Sequence, residues 1–469
     1  MNEWSMKPKV FTGALGVGEH TTDVTFTLGL DKAGHCHFEF ERIPLTEQTT
    51  FLQIYFDKVE EGRFARFTLV GEAEGGARFE CDNIILTSLK SVDVLAEGYK
   101  ESDKEPRYYC TMGPQVAYSL ARMTMVATHE KERRQHVAYS ERALPVLAWR
   151  VKGFDCFHPL EAMCPLGIVQ MTGGNDMNGK DELSGTLRLI AISAPPDVEE
   201  WRRRADAFLR HVHHVMSFAA CTMLGNPIRE FFHEDVVVID AYAKRGQPRS
   251  ETPVFHYMDL QAIFDCSVHS HFDPDSKIEK LDFAIQWFVM RGEYRESKLI
   301  MSMTVLENMI ASNLTDDDTK SLPDKAFENL RSRLSNVVKE LAHEWTDTKE
   351  GQKAYIKEFN DRFSDLKRRS LMDKVSLLAK RWGVDLSGIH EDFIKEAKRA
   401  RDQVVHRGHY HPKIDATRDL HDHVATVREV VVRFILTALH FEGRYLSYFD
   451  GYHTRVFQRS APDRDYTDR

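Results

Sequence analysis

HEDFIKEAKRARDQVVHRGHYH, residues 390–411, carries a helical signal that runs up to Gly408, a natural helix stop. Its end, RARDQVVHRGHYH (399–411), packs three arginines and three histidines around a single acidic residue. On this helix Asp402 and His406 are four residues apart, so their side chains share a face within reach of each other. Arg401 starts on a neighbouring face, and its long stem brings the guanidinium toward the same place. Between Lys398 and Lys413 five basic residues (Lys398, Arg399, Arg401, Arg407 and Lys413) face one acid, a local formal charge of +4 in a chain of net charge −9. A fixed arginine, a titratable histidine and a basic surround suit the binding of a phosphodiester and proton movement at it. The competing reading is a solvated helix face.

Outward from this stretch the sequence divides. From about residue 278 onward it reads as helices that bury one side in a bundle. Leu299, Ile300, Met303, Leu306 and Met309 line one face of the first. Leu330, Leu334, Val337, Val338, Leu341 and Trp345 line the second, and Leu420, Val424, Val427, Val431, Phe434, Ala438 and Phe441 the last. The first 190 residues or so read as strands. TDVTFTLGL (22–30) and GHCHFEFER (34–42) alternate about a DKAG turn, and RFARFTLVGEAEGGARFECDNIILTSL (63–89) repeats the pattern about Glu74-Gly75-Gly76. GGNDMNGKDELSG (173–185) is a polar, glycine-rich loop leading into TLRLIAI. Between these regions Asp197 and Glu200 form a capping pair for a helix over APPDVEEWRRRADAFLRHVHHVMSFAACTML, and EDVVVIDAYA is one more strand. The expectation is an α+β chain: a β-rich, sandwich- or barrel-like domain over 1–195, a mixed segment over 196–277 packed with it, and an all-α bundle over 278–469.

The 469 residues, 42% hydrophobic and 29% charged, describe a globular protein with a sizeable core. Net charge −9 argues against a protein coated all over with nucleic acid and leaves room for a local basic site. MNEWSMKPKV has no apolar h-region and no long uncharged run follows, so neither a secretory signal nor a membrane span is expected, and the location expected is the cytosol. The seven cysteines (36, 81, 110, 156, 164, 221, 266) lack a CxxC pair and read as buried thiols. Cys156, His158 and Cys164 fit no common zinc spacing, and a zinc enzyme built on them is the remotest reading. His35 and His37 share one side of a strand without further ligands, and His211, His213 and His214 read as a solvated or core-edge helix face. GALGVG (13–18) lacks the GxGxxG order and reads as a loop.

Arg401-Asp402-Gln403-Val404-Val405-His406, followed by Gly408, resembles the R-polar-x-x-x-H motif of HEPN ribonucleases. The closer similarity is to ApeA-type anti-phage proteins, which join a β-rich N-terminal domain to a C-terminal HEPN domain. LIMSMTVLENMI (299–310) resembles the first core helix of that domain and LTALHFEGRYLSYFDG (436–451) its end. The residue after the arginine, most often asparagine in the superfamily, is Asp402 here. The resemblance implies a metal-independent endoribonuclease with no cofactor, with Arg401 and His406 as catalytic residues and Asp402 in support. Lys398, Arg399, Arg407, His409 and Lys413 would bind RNA. It further implies a homodimer with a composite cleft, host RNA such as a tRNA as substrate in abortive infection, and an N-terminal domain that senses a phage-derived trigger. A non-catalytic dimerisation or RNA-binding module remains the other reading.

Overall fold

The computed structural model describes residues 8–30, 33–34, 36–42, 67–84, 108–111, 120–126, 144–174, 182–234, 236–242, 252–274, 276, 281–412 and 417–458. Lys413, His35, the side chains of Cys36, His37 and Cys110, and residues 175–181 of the glycine-rich loop lie outside them. The chain is α+β and divides into two compact units, Met1–Phe272 and Asp273–Arg469.

In the first unit the strands are β1 (Lys9–Val17), β2 (His20–Leu30), β3 (Cys36–Arg42), β4 (Phe67–Ala73), β5 (Arg78–Ile84), β6 (Tyr108–Thr111) and β7 (Leu120–Val126). They continue with β8 (Val146–Lys152), β9 (Leu160–Cys164), β10 (Gly167–Gly173), β11 (Leu183–Ile190), β12 (Gly225–His233) and β13 (Val236–Tyr242). All 13 join one antiparallel sheet in the order β6-β3-β2-β1-β4-β5-β7-β13-β12-β8-β11-β10-β9. The expected sandwich or barrel is therefore one continuous sheet, with no closing pair among the described residues. β12 and β13 are the reason, because they link the two halves by pairing with β8 on one side and β7 on the other. The first half still curls, and Gly34 in the β2–β3 turn comes against Pro227 and Ile228 of β12.

Alternation drives this half. Val24, Phe26, Leu28 and Leu30 of β2 all point inward, onto Phe11, Leu15, Phe67, Leu69 and Phe79. GALGVG is not a loop; its first five residues end β1, and Gly18 opens the turn to β2. Its glycine serves close approach: a Cβ on Gly13 would stand 1.9 Å from the Val70 carbonyl oxygen of β4. Helix α1 (Val198–Ala220) starts at Asp197, whose carboxylate accepts from the Glu200 N–H at 3.0 Å, and packs on β8 and β11. His213 and His214 are buried there, and His213 donates to the Leu224 carbonyl at 2.9 Å, so these imidazoles belong to the core. α2 (Leu260–Phe272) packs on α1 and β9.

The second unit holds α3 (Leu281–Val289), α4 (Arg295–Asn313), α5 (Asp324–Trp345), α6 (Lys349–Phe363), α7 (Leu371–Trp382), α8 (Glu391–Arg407) and α9 (Leu420–Ala438). It is not all-α: β14 (Gly443–Ser447) and β15 (His453–Phe457) close it as a hairpin. Asp450 and Gly451 both take positive φ in the connecting loop, a Asp-Gly turn signal that the helical pattern around it hides. α4, α8 and α9 pack on one another, with α9 buried almost all round. The apolar stripe of α5 behaves differently. Val338 is buried, but Val337 is 48% exposed and Leu330, Leu341 and Trp345 are exposed too. The cause is that α5 packs mainly on α6, and one partner covers only one strip of a helix. Trp345 rests on Tyr355 and Phe359.

α7 is tied to the α4–α5 connection by a fork-to-fork pair: Arg381 donates to the two Asp318 oxygens at 3.0 and 2.7 Å. Arg381, together with donors of Thr315, pulls the Asp318 carboxyl down to about 2. Its folded value lies below its ordinary one, so the pair stabilises the fold above about pH 4 and that contribution is lost as pH falls toward 2. With solvent screening this amounts to about 1 kcal/mol. Urea unfolding of wild type and Asp318→Asn between pH 5 and 2.5 should show a steeper acid loss in wild type. Equal slopes would remove the assignment.

Candidate active site

α8 buries Ile394, Ala397, Ala400 and Val404 in steps of three and four, which turns Lys398, Arg399, Asp402 and His406 away from the core. The helix stops where φ becomes positive: Gly408 takes φ +79° and its N–H bonds to the Val404 carbonyl at 2.8 Å. His406 and Arg407 therefore stand in the last turn, where positive charge is favoured. Both are exposed, as are Arg399 and His409.

Arg401 lies beside the buried face and is directed at α4. Its Nη2 donates to a Glu307 carboxylate oxygen, and its Nη1 stands 3.2 Å from Asp402 Oδ1. The other Asp402 oxygen accepts from Lys398 Nζ at 2.6 Å. Asp402 is thus committed to the two cations, and among the described residues no hydrogen bond or ion pair joins it to His406, contrary to the orienting contact that the spacing suggested. An i,i+4 spacing permits that contact, but a lysine at i−4 and a neighbouring guanidinium occupy the carboxylate instead. The four charged groups Lys398, Arg401, Asp402 and Glu307 sum to zero, and the excess positive charge on the described helix end comes from Arg399 and Arg407.

Past Gly408 the chain is pinned at three points. His409 and His411 contact each other through their rings, with centroids 4.1 Å apart. The His411 N–H donates to Gln403 Oε1 at 3.3 Å, and the Tyr410 hydroxyl bonds buried His423 of α9 at 3.2 Å. Burial lowers the His423 value, so at neutral pH it is an uncharged anchor.

Glu307 is the residue that the linear motif does not contain. It is the one charged side chain in LIMSMTVLENMI, an otherwise uncharged stretch, and that isolation was its sequence signal. The remaining candidates belong to the first unit. Cys156 and Cys164 are pushed up by burial and Cys266 up to about 12, the direction opposite to that of a reactive thiolate. His158 stacks edge-on against Phe157. Among the described residues no group of three or more His, Cys, Asp or Glu is placed to hold a metal, and no helix is long and apolar enough to cross a membrane. A cleft of about 280 Å³ in the first unit is lined by Arg202, Arg229, Asp206 and Asp240, whose charges cancel in pairs. No family model, curated protein or solved structure matches this chain.

Proposed function

We propose that the second unit is a metal-independent HEPN-type endoribonuclease that cuts host RNA in anti-phage defence in the cytoplasm. The observation that carries this reading is the placement of Arg401 and His406 on the last two turns of α8, at an open basic helix end, with the guanidinium fixed from a second helix. An open face fits a polymer better than an enclosed pocket would, and flexible loop RNA such as a tRNA anticodon loop reaches in-line geometry most easily. His406 takes the proton from the ribose 2′-hydroxyl, whose oxygen bonds to phosphorus while the bond to the 5′-oxygen breaks. Arg401 meets the charge that builds on the non-bridging oxygens. The departing 5′-oxygen needs a proton, which a second His406 from a twofold-related copy would supply, so the active species is a homodimer. The β-rich unit is assigned the restraint of this activity and the sensing of a phage-derived trigger.

The test incubates the full chain with total cellular RNA in EDTA and maps fragment ends. Discrete cuts with 2′,3′-cyclic phosphate and 5′-hydroxyl ends, blocked by 2′-deoxy substitution at the cut nucleotide, are expected. Ends bearing 5′-phosphate would overturn the mechanism. The second reading, an RNA-binding or dimerisation module without catalysis, draws on one observation: no hydrogen bond among the described residues orients His406. RNA left intact even with phage-infected lysate present would favour it.

A further inference from the structure

Resting on that ribonuclease reading, we propose that Glu307 is a positioning residue for Arg401. A surface arginine samples many rotamers, and one that must meet a phosphorane gains from being held beforehand. Arg401 is held from two directions. The α4 carboxylate of Glu307 takes Nη2, and Asp402, itself fixed by Lys398, faces Nη1. Because α4 packs directly on α8 and α9, the carboxylate rides on a packed core helix and not on a loop. The arginine keeps its Nε–H and the outer N–H groups for a phosphate.

Electrostatics alone gives the opposite expectation, and that makes the idea testable. Glu307 adds a negative charge next to the place where RNA would bind. If it only repelled the substrate, removing its charge would improve binding and turnover together. If it positions Arg401, removing its charge leaves binding equal or tighter while turnover falls.

The experiment compares wild type, Glu307→Gln, Glu307→Asp, Arg401→Ala and the Glu307→Gln/Arg401→Ala pair, with thermal melts as a check on folding. For Glu307→Gln the expected result is a kcat lower by about tenfold or more with KM unchanged or lower, and for Glu307→Asp recovery to within about threefold of wild type. In the Arg401→Ala background the Gln change should have no further effect, because Glu307 acts through that side chain. A kcat for Glu307→Gln that is unchanged or raised overturns the proposal. Should wild type cut no RNA under any condition, the ribonuclease reading fails separately. The same double-mutant cycle is then read from the affinity for a 2′-O-methylated stem-loop oligonucleotide. Non-additive fold-changes support the holding of Arg401 by Glu307, and additive ones overturn it.

Discussion

His406→Ala should lower kcat by about 10²-fold or more while RNA binding and the melting temperature stay close to wild type. The size follows from the role, since a positioned acid–base group commonly supplies that much of a proton-transfer step. The selectivity follows from the place. His406 is exposed in the last turn of α8 and, among the described residues, has no hydrogen-bond or ion-pair partner, so truncation leaves no buried group unsatisfied. Arg401→Ala should lose a comparable factor in kcat by removing charge from the transition state. It also frees the Glu307 and Asp402 carboxylates from their shared cation, so a small loss of stability should accompany it. Arg401→Lys separates charge from geometry: an ammonium keeps the charge but cannot face two carboxylates and a phosphate at once, so it should restore little. A His406→Ala protein that cuts RNA at the wild-type rate would end the assignment.

What the sequence made legible follows the range of the interactions involved. The β2–β3 and β4–β5 hairpins, the Asp197 cap and the end of α8 at Gly408 each rest on neighbours within a few residues, and each stands in the structure where the pattern put it. The stripe of α9 was also legible, because Leu420, Val424, Val427, Val431, Phe434 and Ala438 recur in steps of three and four and are all buried. Errors arose where a distant partner decides. The glycines of β1 look like loop residues until β4 lies across them, and α5 looks like a core helix until α6 proves to be its main partner. The candidate site divides in the same way. Arg401, Asp402 and His406 belong to one helix and could be read as a motif. The carboxylate that holds Arg401 lies 94 residues earlier, on α4. The competition of Lys398 for Asp402 is local, yet rotamer choice decides it, and spacing alone leaves that choice open.

Glu429→Ala should cost the second unit about 3–5 kcal/mol and lower its unfolding transition by on the order of 10 °C. Glu429 and Arg433, one helical turn apart on α9, are 3% and 4% exposed. One Glu429 oxygen accepts from Arg433 Nε at 2.9 Å and from the Tyr445 hydroxyl at 2.6 Å, and the other accepts from the Ser447 hydroxyl at 2.8 Å. Burial, with the facing carboxylate, pushes the Tyr445 phenol well above its ordinary value, so it donates as a neutral hydroxyl. Arg433 uses Nη1 on the carbonyls of Asp385 and Ser387, both at 2.9 Å. The network therefore joins α9 to β14 on one side and to the turn that leads into α8 on the other. Removing Glu429 strands a buried guanidinium, the costly way to break such a pair. Tyr445→Phe leaves the ion pair intact and should cost about 1.5–3 kcal/mol, the range for one hydrogen bond to a charged group. Because the Asp385–Ser387 turn sets where α8 begins, loosening it should also displace Arg401 from Glu307. Glu429→Ala should then lose activity below its own melting temperature, whereas Tyr445→Phe should retain most of it. Equilibrium urea unfolding and RNA cleavage at 20 °C measure the two effects on the same samples. A Glu429→Ala stability loss under about 1 kcal/mol would show that water reaches the network and that the buried pair is not what fixes the start of α8.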